Sequence, residues 1–126
     1  MRTTFRFEQL DVWVRAADLT LPVMEFADQL EGMKKFRFAE QLRSAVLSIT
    51  NNIAEGAGSS SKREFAQFLN ISRRSCFEVV NMLVVFERQN LCGGQDIGVW
   101  LDELEQISRM LEGLRRKIAS QAASEC

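Results

Sequence analysis

The sequence contains no histidine and no tyrosine, and its 126 residues include one proline, seven glycines and three cysteines. Without histidine the usual general base is missing, and so are the Ser-His and Cys-His nucleophile pairs. The Glu-x-x-His motifs that build di-iron sites in helical bundles are excluded on the same ground. Cys76, Cys92 and Cys126 are odd in number and lack the close spacing of a disulfide or zinc framework, which points to a reducing compartment. A strong charge of one sign is also lacking: 16 basic residues against 17 acidic ones leave a net charge of −1, too weak to draw the whole molecule to nucleic acid or an anionic membrane. Long apolar runs are absent as well. The longest, Val79 to Phe86, holds Asn81 and falls far short of the roughly 20 residues of a membrane span. The start, Met1-Arg2-Thr3-Thr4-Phe5-Arg6, does not read as an export signal, so a soluble, cytoplasmic protein is expected.

What is present is helical periodicity. A hydrophobic fraction of 46% excludes a disordered chain, and the scarcity of proline and glycine leaves little to interrupt helices. Four segments carry spacings of three and four, over about residues 8–30, 38–55, 61–90 and 96–118, with the tail 119–126 expected to fray. On the first segment Leu10, Trp13, Ala17, Leu21 and Met24 form one face, and Pro22 predicts a kink or a break. Leu42, Val46, Ile49 and Ile53 mark the second, with Gly56 placed to supply the left-handed residue that closes it. The third starts at a capping box, Ser61 with Glu64, and continues as Phe65, Leu69, Ser72, Cys76, Val79, Leu83 and Phe86. The fourth repeats the alternation in Trp100, Leu104, Ile107, Leu111, Leu114 and Ile118. Its acidic Asp96, Asp102 and Glu103 and basic Arg115 to Lys117 suit the two ends of a helix dipole. The whole predicts a single all-α domain, an antiparallel up-down-up-down four-helix bundle. A helical hairpin that completes its bundle across a dimer is the alternative.

Behind its seam the third segment carries Phe77, Val80 and Val84, with Ile71 and Val85 at the edges. Either neighbouring helices cover this second stripe or another copy of the chain does, and a subunit interface is the preferred reading. Glu55 and Glu78 are the carboxylates worth inspecting for acid-base work, with structural hydrogen bonding the expected role. Cys76 on the seam reads as a small buried apolar residue. Ser48, Thr50, Asn51 and Asn52 run against helix propensity. Asn52 either faces water or reaches a neighbouring helix and fixes register. No catalytic residue, metal ligand, cofactor or small-molecule substrate is indicated. Basic residues cluster locally as Lys34, Lys35 and Arg37; Lys62 and Arg63; Arg73 and Arg74; and Arg115, Arg116 and Lys117. Repeated around an oligomer, such patches give RNA or DNA several weak, salt-sensitive phosphate contacts.

The run Gln41-Leu42-Arg43-Ser44-Ala45-Val46-Leu47-Ser48-Ile49, followed by Asn52-Ile53-Ala54-Glu55-Gly56, resembles the bacterial four-helix bundle proteins also known as ribosomal intervening-sequence proteins. Phe7 to Trp13, Phe65 to Ile71, and Ser75 with Glu78 continue the likeness, which spans roughly Phe7 to Leu114. The resemblance implies a homo-oligomeric bundle, a ring of five, without known enzyme activity. Some relatives are encoded within insertions in large-subunit ribosomal RNA genes. Others, similar to the accessory variability determinant of diversity-generating retroelements, bind nucleic acid through basic surfaces. It adds Arg43 to the candidate nucleic-acid contacts and marks Asn52, Glu55 and Gly56 as structural residues at the end of the second helix. The expected role is a non-enzymatic homo-oligomeric scaffold for RNA or DNA, and the alternative is a protein-binding adaptor without nucleic-acid contact.

Overall fold

The structure, a computed structural model, describes residues 1–125. After a 3₁₀ turn at Arg6–Gln9 come four helices: α1 (Asp11–Gly32), α2 (Phe36–Ala57), α3 (Lys62–Arg88) and α4 (Gly98–Ser124). No strand occurs among the described residues. Each helix packs on its sequence neighbours, and α1 closes loosely on α4. Partner residues fix the directions. Ser72 meets Ile49 while Phe86 stacks on Phe38, so α3 runs against α2. Arg73 meets Glu112 and Lys62 meets Glu125, so α4 runs against α3. Arg15 meets Glu103 while Phe26 packs on Trp100, so α1 and α4 are antiparallel too.

The three-four alternation of α2, α3 and α4 does become the core. Leu42, Val46, Ile49, Ile53, Leu69, Cys76, Val79, Leu83, Leu104, Ile107 and Leu111 are all buried, with Leu114 half-buried at the margin. The face of α1 is different from the expected one. Val12, Ala16, Leu19, Val23, Phe26 and Leu30 point inward, whereas Leu21 is 66% exposed. The inward set keeps strict steps of four and three. Trp13 instead lies half-buried at the helix edge, its ring 5.1 Å from that of Phe7 in the preceding turn. Pro22 breaks nothing: α1 continues through it, and Thr20 bonds back to the Ala16 carbonyl at 2.8 Å one turn earlier. A proline removes only its own donor, and ten residues of packed helix on either side hold the rod.

The ends also differ. Gly56 is a buried residue in the last turn of α2 with no left-handed backbone; the chain leaves the helix at Gly58 instead. A Cβ on Gly56 would stand 2.7 Å from Phe68 Cβ and 2.8 Å from Phe65 Cδ1, so its bare Cα lets α3 come close. The left-handed residues that close α1 and α3 are Lys34 (φ 64°) and Asn90 (φ 60°). In both, the next N–H reaches back across the last turn, Lys35 to the Leu30 carbonyl and Leu91 to the Phe86 carbonyl, at 2.9 and 3.0 Å. Ser61 does cap α3, its hydroxyl accepting from the Glu64 N–H at 3.2 Å. The Glu64 carboxylate takes the Ser59 hydroxyl in place of the expected return bond, and the Ser61 N–H donates to that same Ser59 oxygen. Helix α4 runs to Ser124, two turns past its expected end, because Ala119, Ala122 and Ala123 favour helix and lie along α3. Arg115 to Lys117 therefore do not sit at a helix terminus. Of the tail expected to fray, Cys126 lies outside the described residues.

Candidate functional site

Charge pairing sorts the basic residues. Arg43 bonds Asp28 at 2.7 Å and Glu31 at 3.1 Å, with Glu40 beside it, and those carboxylates hold its guanidinium above the ordinary arginine range. Glu112 gathers Arg115 and Arg116 at 2.5 and 3.0 Å and Arg73 at 3.7 Å, and hydrogen bonding from Arg115 leads in depressing its pKa to about 2. Arg73 also lies over the Phe77 ring at 5.3 Å, and Lys62 is held by Glu125. Four of the expected phosphate contacts besides Arg43 are thus already engaged within the chain: Lys62, Arg73, Arg115 and Arg116 by carboxylates, and Arg73 additionally by an aromatic face. An exposed guanidinium in such a pair is a weaker phosphate donor than a free one.

Lys34, Lys35, Arg37, Arg63, Arg74 and Lys117 make no ion pair among the described residues. Of these, the first three stand together and exposed where α1 gives way to α2, Lys34 and Lys35 in the turn and Arg37 in the first turn of α2. Arg63 and Arg74 lie on the outer face of α3 and Lys117 on α4. The first trio stands apart, whereas Arg73 joins Arg115 and Arg116 at Glu112, and Arg63 and Arg115 line one groove between α3 and α4. Lys34 to Arg37 occupy one end of the bundle, while Arg63 lies at the start of α3, at the other end.

The second stripe of α3 divides in the same way. Ile71 (44%), Phe77 (52%) and Val85 (37%) stand in solvent, whereas Val80 and Val84 are half-buried, Val80 against the core. The sequence reading overlooked a matching feature on α1, whose exposed face carries Asp11, Val14, Asp18, Leu21 and Glu25. Its signal was available: carboxylates at positions 11, 18 and 25 recur every seven residues.

Asn52 donates to the Ser48 carbonyl and hydroxyl at 2.8 and 2.9 Å, on its own helix. The link across belongs to Ser48, whose hydroxyl meets that of Ser75 at 2.9 Å, while buried Ser72 donates to the Ile49 carbonyl at 2.8 Å. These serines and Gly56 all lie where α2 packs on α3. Glu55 and Glu78 are exposed and make no ion pair among the described residues. Burial raises the Cys76 thiol to about 12, leaving no thiolate at neutral pH, and burial also raises Cys92. No group of three or more metal-ligating side chains occurs among the described residues, and no helix among them is long and apolar enough to cross a membrane. An open groove of about 510 Å³ between α3 and α4 is lined by Arg63, Ala66, Gln67, Asn70, Arg115 and alanines of α4, with no carboxylate facing it.

The fold and these surfaces define an all-α bundle whose chemistry lies in exposed charged and apolar faces. The model of the 23S rRNA-intervening sequence protein family matches residues 8–113, and the chain belongs to that family. No curated protein and no solved structure matches the chain.

Proposed function

We propose that this is a non-enzymatic cytoplasmic scaffold that assembles with copies of itself, as the ring of five that its family resemblance implies, and engages RNA through the turn between α1 and α2. The observation that carries the reading is the trio Lys34, Lys35 and Arg37, three exposed cations left unpaired across the turn and the start of α2, in a chain whose other basic residues are so often held by carboxylates. Three contacts give modest affinity in one copy. Repetition around an oligomer turns them into a multivalent rim, with binding that falls steeply as salt rises. The family name, with its reference to 23S rRNA, makes RNA the first nucleic acid to test.

Filter binding of structured RNA at 50 and 200 mM salt tests this. Wild type should bind at the lower salt, and the triple change Lys34→Gln, Lys35→Gln, Arg37→Gln should abolish that binding while thermal unfolding stays unchanged. Equal binding by the triple variant would defeat the assignment. A second reading, an adaptor for another protein, is favoured by the neutralisation of Arg43, Arg73, Arg115 and Arg116 within the chain. Negligible RNA binding by wild type even at the lower salt would leave that reading standing.

A further inference from the structure

Within the chain α1 and α3 stand diagonally across the bundle, out of contact, and run in the same direction. Their outward faces therefore point away from each other. The face of α1 is acidic and apolar: Asp11, Val14, Asp18, Leu21 and Glu25 follow at steps of three, four, three and four. The face of α3 is basic and apolar, with Arg74, Phe77, Asn81, Val85 and Arg88 at nearly the same steps. All ten side chains are exposed. None of the three carboxylates and neither of the two arginines forms an ion pair among the described residues.

Resting on the reading that copies self-associate, we infer that the outer face of α1 in one copy docks, parallel and lengthwise, on the outer face of α3 in the next. Set side by side with a register offset of 63 residues, Asp11 meets Arg74, Val14 meets Phe77, Asp18 meets Asn81, Leu21 meets Val84 and Val85, and Glu25 meets Arg88. Ion pairs flank the contact at both ends, and two apolar contacts lie between them on either side of the polar Asp18–Asn81 pair. The contact spans 15 residues of helix, about 21 Å from first to last at 1.5 Å per step. The reverse, antiparallel docking also opposes unlike charges, but it sets Leu21 against Glu78 and Asp28 against Ile71. Asp28 is already committed to Arg43, and a buried carboxylate facing an aliphatic side chain loses its hydration without return.

Because the two faces lie on opposite sides of one bundle, the interface is head-to-tail: each copy offers α1 to one neighbour and α3 to the other. Such contacts close into a ring when successive copies turn by a fixed angle. Parallel docking also keeps every bundle pointing the same way. Each copy's Lys34, Lys35 and Arg37 then fall on one rim, where a single RNA could touch several of them.

Sedimentation of the full chain across micromolar concentrations tests the interface through charge reversal. Glu25→Arg and Arg88→Glu should each move the assembly midpoint to roughly tenfold higher concentration, since like charges then face each other. The double variant Glu25→Arg, Arg88→Glu should return it towards wild type, with the far-ultraviolet melt unchanged throughout. An assembled wild type whose midpoint is indifferent to both single changes overturns the inference and leaves self-association intact. Rescue of Glu25→Arg by Arg74→Glu in place of Arg88→Glu overturns the parallel register. A wild type that stays monomeric at every concentration overturns the inference together with the reading beneath it.

Discussion

Two helical glycines, Gly113 within α4 and Gly56 in the last turn of α2, should answer the same substitution with opposite signs. In isolation, replacing a mid-helix glycine by alanine favours the helix by about 1 kcal/mol, because alanine has fewer backbone conformations to lose. At Gly113, exposed in the interior of α4 with nothing within 4 Å of an added Cβ, that gain should appear in full. At Gly56 the added carbon would be 2.7 Å from Phe68 Cβ, 2.8 Å from the Phe65 ring and 3.3 Å from the Phe65 carbonyl oxygen. The first and last of those atoms are fixed to the backbone of α3, so relief requires the helices to separate. Overpacking of this kind costs about 1–3 kcal/mol, which outweighs the propensity gain. Separation would also stretch the Ser48–Ser75 and Ser72–Ile49 hydrogen bonds, at 2.9 and 2.8 Å. The expected outcome is a net loss of roughly 1–2 kcal/mol for Gly56→Ala. At about 3–5 °C per kcal/mol for a domain of this size, Tm should fall by about 3–10 °C, and Gly113→Ala should raise it by about 3–5 °C. Thermal and urea melts followed by circular dichroism read both. A Gly56→Ala protein as stable as wild type would mean that α2 and α3 do not meet as closely as described.

Stability should fall with acidity where Glu112 gathers its arginines. Its pKa, about 2, lies below the ordinary carboxylate value, so the arrangement stabilises the fold above about pH 4.5 and that contribution is lost as pH drops towards 2. Glu112→Gln should flatten part of this slope in melts taken between pH 2 and 6. Ser72→Ala should cost about 0.5–1.5 kcal/mol in urea melts, at the modest end for a buried hydrogen bond, because the Ile49 carbonyl keeps its helical donor. Lys34→Gly should stabilise the chain by about 1 kcal/mol, since a side chain at φ 64° is strained there, even as it removes one of the cations assigned to RNA.

Helix α3 shows why so much of the fold could be read from the sequence. Phe65, Leu69, Cys76, Val79 and Leu83 offer one unbroken seam, and every one of them is buried. Helix α1 was misread because it is apolar over a wide arc. Val14 and Leu21 lie outside, Val23 and Phe26 inside, and the large Trp13 draws attention to an edge, so more than one stripe fits. Packing on α2 chooses among them, and no local signal reports that choice. Gly56 was misread for a related reason: a glycine near a helix end suggests a cap, whereas here the approach of Phe65 and Phe68 from another helix demands it. The candidate surfaces were legible as clusters of charge. Which charges are spent inside the chain, as with Lys62, Arg43 and the trio around Glu112, depends on carboxylates up to 63 positions away in sequence and emerges only in three dimensions.

The loose edge between α1 and α4 has a dynamic consequence. Small residues and serine bonds clasp α2 to α3, while α1 and α4 are joined chiefly by the Phe26–Trp100 contact and the Arg15–Glu103 pair. A barrel of staves splits along its weakest joint, so α1 should be the first stave to swing out, its amides exchanging with deuterium ahead of those in α3.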